Sequence, residues 1–92
     1  PAYGPLVYFI AAGDMVKIGY TRRAVAQRLG DLRTGCPLPL KILRTVPGRQ
    51  ADEKRWHHRF EHLRVRGEWF RLTPELARAV YVERAKEIQG IT

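Results

Sequence analysis

Leu6 to Ala12 are seven consecutive apolar residues, and Met15 to Thr21 form a second β-prone run after the short break Gly13-Asp14. A Gly-Asp pair between two such runs is a hairpin signal. With a two-residue turn, Ala12 faces Met15, Ile10 faces Lys17 and Tyr8 faces Gly19. Opposed residues share a sheet face, so Tyr8 and Lys17 lie together, and a one-residue slip would separate them.

Period-3.6 patterning follows. Thr21 is placed as the N-cap of a helix running to about Thr34, with Gly35 as its stop and Pro37 beyond. Val25, Leu29 and Leu32 are its apolar stripe, and Arg28 falls about 60° from Val25 at the helical period, on the stripe's edge. Leu40 to Val46 reads as a third strand, broken by Pro47-Gly48. A second helix spans about Gln50 to His62, its apolar face made by Trp56 and Phe60 with Glu53 and His57 projecting between them. Glu68 to Leu72 is the last expected strand, with Trp69 and Phe70 in the core and Glu68 a strand-end contact. Thr73-Pro74 then opens a C-terminal helix over about 74–88, packing through Leu76, Val80, Tyr81, Ala85 and Ile88. The expected fold is α/β of the α+β kind: a small mixed or antiparallel sheet of three to four strands flanked by helices. No repeat, linker or low-complexity run divides it, so residues 1–92 read as a single domain with its core over 5–72.

Composition narrows the function. Ninety-two residues leave no room for separate catalytic and specificity domains. The longest apolar run falls far short of the ~20 residues that span a bilayer, and no signal-peptide pattern precedes it, so a soluble, cytoplasmic protein is expected. The single cysteine, Cys36, makes neither an internal disulfide nor a CxxC knuckle, and in a loop before Pro37 with no base partner it is a poor nucleophile. Seventeen Lys and Arg against nine Asp and Glu give a net charge of +8. That surplus lies wholly within residues 1–71, and thirteen of the seventeen cations are Arg, whose planar fork suits phosphate.

Three polar groups stand where apolar ones would cost less: Lys17 beside Tyr8, Arg28 at the edge of the first helix, and Glu53 on the inner face of the second. A plain alternative is a buried Arg28–Glu53 ion pair tying the helices to the sheet. Tyr8 and Tyr20, alternating with Val7, Phe9 and Ile18, also read as strand packing. His58 and His62 have the i, i+4 spacing of metal ligands, yet share the face of Arg55 and Arg59, about 140° to 180° from Glu53, where a solvated surface is the simpler reading. His57 shares the Glu53 face, as a bonding partner, a substrate contact or a core histidine.

In order and spacing these residues resemble the GIY-YIG nuclease superfamily. Val7-Tyr8-Phe9-Ile10 stands where GIY is expected, Lys17-Ile18-Gly19-Tyr20-Thr21 where YIG is expected, and Arg28 in the place of the helix arginine. Glu53, His57 and Phe60 meet the pattern ExxxHxxF, and Gly67-Glu68-Trp69-Phe70 closes the core. The last two patterns are similar to those of the short phage and bacterial branch, of the T5-phage or meiotically up-regulated type. Departures are Leu6 for the first Gly and Lys17 for the first Tyr of YIG, the latter as in restriction-enzyme members, and the late asparagine has no counterpart.

The resemblance implies hydrolysis of DNA phosphodiester bonds, with RNA as an alternative substrate, assisted by one divalent metal, Mg²⁺ or Mn²⁺. Tyr8 is the implied general base, with Lys17 and Arg28 lowering its pKa, and Glu53 the metal ligand. Arg28 steadies the charge on phosphorus, Tyr20 donates to the same phosphate, and His57 completes the set. Arg22, Arg23 and Arg33, around the first helix, are the expected nucleic-acid contacts. Two other classes remain open at this level: a binding module with the same fold and no cleavage, and a protein-interaction domain meeting acidic partners.

Overall fold

The computed structural model describes residues 4–81. Two seven-residue strands, β1 (Leu6–Ala12) and β2 (Met15–Thr21), form the expected hairpin in the expected register, with Ala12 opposite Met15, Ile10 opposite Lys17 and Tyr8 opposite Gly19. Gly13 takes φ 61°, a value strained for residues with a side chain and suited to the first central position of a type II′ turn. Helix α1 spans Val25–Gly35, β3 Leu40–Pro47 and α2 Gln50–Arg59. A 3₁₀ turn at Glu61–Leu63 leads into β4 (Arg64–Arg66) and β5 (Trp69–Arg71), and a C-terminal helix, α3, runs over the described residues 74–81.

The sheet has five strands, one or two more than the sequence suggested, all antiparallel in the order β3-β1-β2-β5-β4. The uncounted strand is β4. Its Arg-Val-Arg sequence is exposed throughout and carries no apolar alternation, so nothing in its hydropathy announces a strand. What does announce it is the turn: Gly67-Glu68, with Gly67 at φ 55°, repeats the chemistry of Gly13-Asp14.

β1 is central and buried on both faces, which is why its sequence is an unbroken apolar run. One face, with Val7, Phe9, Val16, Ile18 and Phe70, packs on Phe60 and Trp56 around α2 and on Leu76, Ala79 and Val80 of α3. Phe9 meets Trp56 edge-on with ring centroids 4.8 Å apart, a favoured aromatic geometry. A bulge in β3 between the partners of Phe9 and Ile10 turns Arg44 inward, where its guanidinium donates to the Val80 carbonyl (3.3 Å) and ties β3 to α3.

Several expected boundaries move. Thr21 ends β2 instead of capping α1: its Oγ1 accepts the Arg23 N–H (3.0 Å) in a local turn, and α1 starts four residues later with no side-chain cap. Val25, Leu29 and Leu32 are half-buried, and α1 buries none of its residues fully, so the stripe stays outside the main core. Helix α2 stops at Arg59, not His62, because the chain tightens into the 3₁₀ turn after Phe60. Its start is set by Asp52, whose carboxylate accepts the Arg49 N–H (2.8 Å). α3 begins as expected, with Thr73 Oγ1 accepting the Leu76 N–H (3.3 Å) and Pro74 in the first turn, where no N–H is needed. Leu76 and Val80 are buried, whereas Tyr81 is exposed; Ala85 and Ile88 lie outside the described residues.

Candidate functional site

Below the first hairpin's surface, on the face opposite the main core, the ring of Tyr8 lies flat across Gly19. A Cβ at Gly19 would overlap the Tyr8 hydroxyl and Cζ and come within 2.8 Å of Cε1. Since Tyr8 is fully buried, its ring has nowhere to retreat. Gly19 is therefore a cradle, and it is the residue that the register set against Tyr8 in the sequence.

Arg28 reaches from α1 and its Nε–H donates to the Tyr8 hydroxyl oxygen (3.1 Å). Among the described residues no ion pair joins Arg28 to Glu53, so the plain alternative of a helix-tying salt bridge gives way to an arginine–phenol contact. Contact with the phenol raises the Arg28 pKa above its ordinary value and keeps the cation fixed. The Tyr8 hydroxyl also ionises above its ordinary value, counter to expectation. Burial is the largest cause; the Arg28 hydrogen bond and charge oppose it, and Glu68 and Glu53 reinforce it.

Lys17 does not supply the expected depression, because its charge is engaged elsewhere. Its Nζ is 3.1 Å from Glu68 Oε2 and 5.4 Å from the centre of the Trp69 ring. Glu68 is thus part of the site. Sequence reasoning treated it as a strand-end contact, and the only signal was its place after Gly67 in a hairpin turn that aims it back at β2.

Glu53 is buried on α2, and its carboxyl pKa is raised by that burial and then by Glu68, while His57, Lys17 and Lys54 pull it down. A buried carboxylate whose ionisation is hindered by burial and by a second carboxylate is one that a cation would relieve. That donor set fits a hard divalent ion completed by water and phosphate oxygens, as Mg²⁺ is commonly held. It does not form a protein cage: among the described residues no three His, Cys, Asp or Glu side chains converge. His62 is engaged by Glu75 (2.8 Å), and His58 is exposed on α2, so the i, i+4 pair does not converge as ligands.

His57 is buried beside Phe70, and its Nε2–H donates to the Ile18 carbonyl (2.7 Å). That acceptor fixes the tautomer and spends the Nε2 proton on the backbone. The same residue is held along the same edge by its N–H, which donates to the Glu68 carbonyl (3.0 Å). β5 pairs only with Met15–Lys17, so these two contacts satisfy β2 where its partner strand ends, at the edge where the polar groups gather.

Tyr20 stands apart. The register sets it against Val7, on the opposite face from Tyr8, and its hydroxyl accepts the Arg22 Nε–H (2.9 Å). Arg23 pairs with Asp31 (3.0 Å), and Arg33 is exposed in the last turn of α1. The structure therefore joins Tyr8 to Gly19 and Arg28 and joins Lys17 to Glu68, with His57 buttressing β2 at Ile18, while Glu53 stands buried on α2 and meets Glu68 and Lys17 through their charges.

The fold and site define a class: a small antiparallel α/β domain with a tyrosine–arginine pair on one face of its sheet, in a chain of net charge +8. Within that class, the chain belongs to the T5orf172 domain family, whose model matches residues 6–88. This family is associated with nuclease-like and DNA-binding roles. Neither the curated proteins nor the solved structures include a match to the chain. No helix among the described residues is long and apolar enough to cross a membrane.

Proposed function

We propose that this domain is a divalent-metal-dependent endonuclease of the GIY-YIG type that hydrolyses DNA phosphodiester bonds. The observation carrying the proposal is the Tyr8 hydroxyl pinned by Arg28 over Gly19 with Glu53 and Glu68 close enough to oppose its ionisation. Each residue has a role its environment suits. Tyr8, as phenolate, takes the proton of the attacking water. Arg28, held beside the Tyr8 oxygen, offers its remaining N–H groups to the negative charge that builds on phosphorus. Glu53, with Glu68 as a second donor, is the carboxylate that would hold Mg²⁺ or Mn²⁺. When bound, such an ion supplies Lewis-acid stabilisation to the leaving oxygen.

The raised Tyr8 pKa fits this scheme through its causes. Burial does most to hold the proton on, the two carboxylates add to it, and Arg28 already favours the phenolate. Neutralising Glu53 and Glu68 shifts the balance toward ionisation. Lys17 keeps Glu68 in place by its 3.1 Å ion pair. His57 acts from behind, fixing β2 at Ile18. Tyr20, together with Arg22, Arg23 and Arg33, belongs in this reading to the outer contacts with DNA.

One observation favours a second reading, a DNA-binding module that does not cut: Tyr8 is fully buried in the resting chain. Supercoiled plasmid incubated with the protein in Mg²⁺, in Mn²⁺ and in chelator separates the two. Metal-dependent nicking or linearisation, lost in Glu53→Gln, is expected of the nuclease. Binding without cleavage under every condition would establish the module instead.

A further inference from the structure

The β4–β5 hairpin extends the site. In the register, Lys17 is opposite Trp69 and Trp69 is opposite Arg66, so Lys17, Trp69 and Arg66 form one row across β2, β5 and β4. Directly opposed residues share a face, and Lys17 is on the face of Tyr8. Arg71, opposite Met15, stands on that same face one row away. The contact of the Lys17 ammonium with the Trp69 ring makes the continuity physical.

Arg66 and Arg71 are exposed, and neither is engaged by a carboxylate among the described residues. Several of the cations elsewhere are already engaged. Arg23 is paired with Asp31, Arg55 with Asp52 and Arg64 with Glu61, and Arg22 is bonded to Tyr20. An arginine already matched to a carboxylate must break that pair before it meets a phosphate; Arg66 and Arg71 need not. At about 4.8 Å between strands, Arg66 on β4 is some 14 Å across the sheet from Tyr8 on β1, a span of about four base-pair steps at ~3.4 Å each.

We infer that the β4–β5 hairpin is a backbone-phosphate clamp for duplex DNA, in which Arg66 and Arg71 hold the strand several nucleotides from the phosphate at Tyr8 and Arg28. The inference rests on the DNA reading above and names the surface through which that site meets its substrate. Trp69 is the spacer that keeps Lys17 and Glu68 between the clamp and the chemistry. The hairpin reads no bases, since its cations meet the backbone alone.

The test is the salt dependence of binding to a short DNA duplex, measured by fluorescence anisotropy in chelator so that cleavage plays no part. Each phosphate neutralised contributes about −0.9 to the slope of log affinity against log salt. Arg66→Gln with Arg71→Gln should reduce the slope by about 1.8, and Arg66→Lys with Arg71→Lys should restore it. Both side chains are exposed, so the melting midpoint of each variant should match that of the parent chain. Binding with an unchanged slope in the Gln pair would overturn the clamp while leaving the nuclease reading intact. A reduced slope in a protein that never cuts plasmid would uphold the clamp and overturn the nuclease. Absence of any duplex binding by the parent chain would overturn the clamp and the DNA reading together.

Discussion

Replacing Gly19 with Ala tests the geometry on which the site depends. The added methyl overlaps the Tyr8 hydroxyl and Cζ, and the ring is fully buried, so either the ring or β2 must shift. Overfilling a packed interior in this way costs about 1–3 kcal/mol. Against it stands a gain of about 0.4–1 kcal/mol from restricting the unfolded chain, available when the native backbone accepts Ala; Gly19 is not among the glycines with positive φ. The clash is the larger effect, leaving a net loss of about 1.5 kcal/mol, or roughly 6–12 °C in melting midpoint for a chain of this size. The gain alone would have raised the midpoint, so the sign of the shift is diagnostic. Thermal unfolding by circular dichroism should be run on Gly19→Ala, Tyr8→Leu and the double variant. In the Tyr8→Leu background the ring is gone, and Gly19→Ala should cost at least about 1 kcal/mol less than alone, a coupling of the size contacting residues show. Cleavage should be lost in Gly19→Ala under conditions where the protein is still folded, because the Tyr8–Arg28 contact is displaced. An unchanged or higher midpoint, or an equal cost in both backgrounds, would refute the cradle.

Other predictions follow from the charges. Glu53→Gln should abolish metal-dependent cleavage yet keep or raise DNA affinity. It should also stabilise the metal-free protein at neutral pH, because a carboxyl whose folded pKa is raised favours the fold when protonated and loses that contribution as pH rises through the folded value. The advantage of Gln should therefore shrink on acidification and vanish below the ordinary carboxylate pKa; an advantage independent of pH would show that burial of the charge is not its cause. In ultraviolet titration of the metal-free protein, the phenol lost in Tyr8→Phe should ionise above the ordinary tyrosine value and move down when Mg²⁺ or Mn²⁺ is added. Tyr8→Phe should also slow cleavage by about 10²-fold or more, the usual worth of a general base, and near-parental rates would give the role to another group. Ala at both Arg55 and Arg59, on α2, should leave the salt slope of DNA binding unchanged, since Arg55 is paired with Asp52 and Arg59 lies over the Trp56 and Phe60 rings.

Local chemistry wrote much of this molecule directly into its sequence. The Gly13-Asp14 turn fixed the first hairpin, and because side chains alternate with a period of two, one turn settled which face carries Tyr8 and Lys17. Thr73-Pro74 fixed the start of α3, and the spacing of Glu53, Trp56, His57 and Phe60 fixed the buried face of α2. Only the tertiary structure decided the rest, since it depends on which groups meet across strands and helices. Lys17 was expected to act on Tyr8, but the hairpin turn returns Glu68 to it at 3.1 Å and takes up its charge. The Tyr8 pKa was expected to fall because two cations are close in sequence pattern; burial, which no pattern of residue types measures, outweighs them. The exposed Arg-Val-Arg strand has no hydrophobic face to betray it, and it exists because β5 offers an edge to pair with. Residue types and turn geometry thus determined which side chains can share a face, and packing determined which of them touch and in what state of charge.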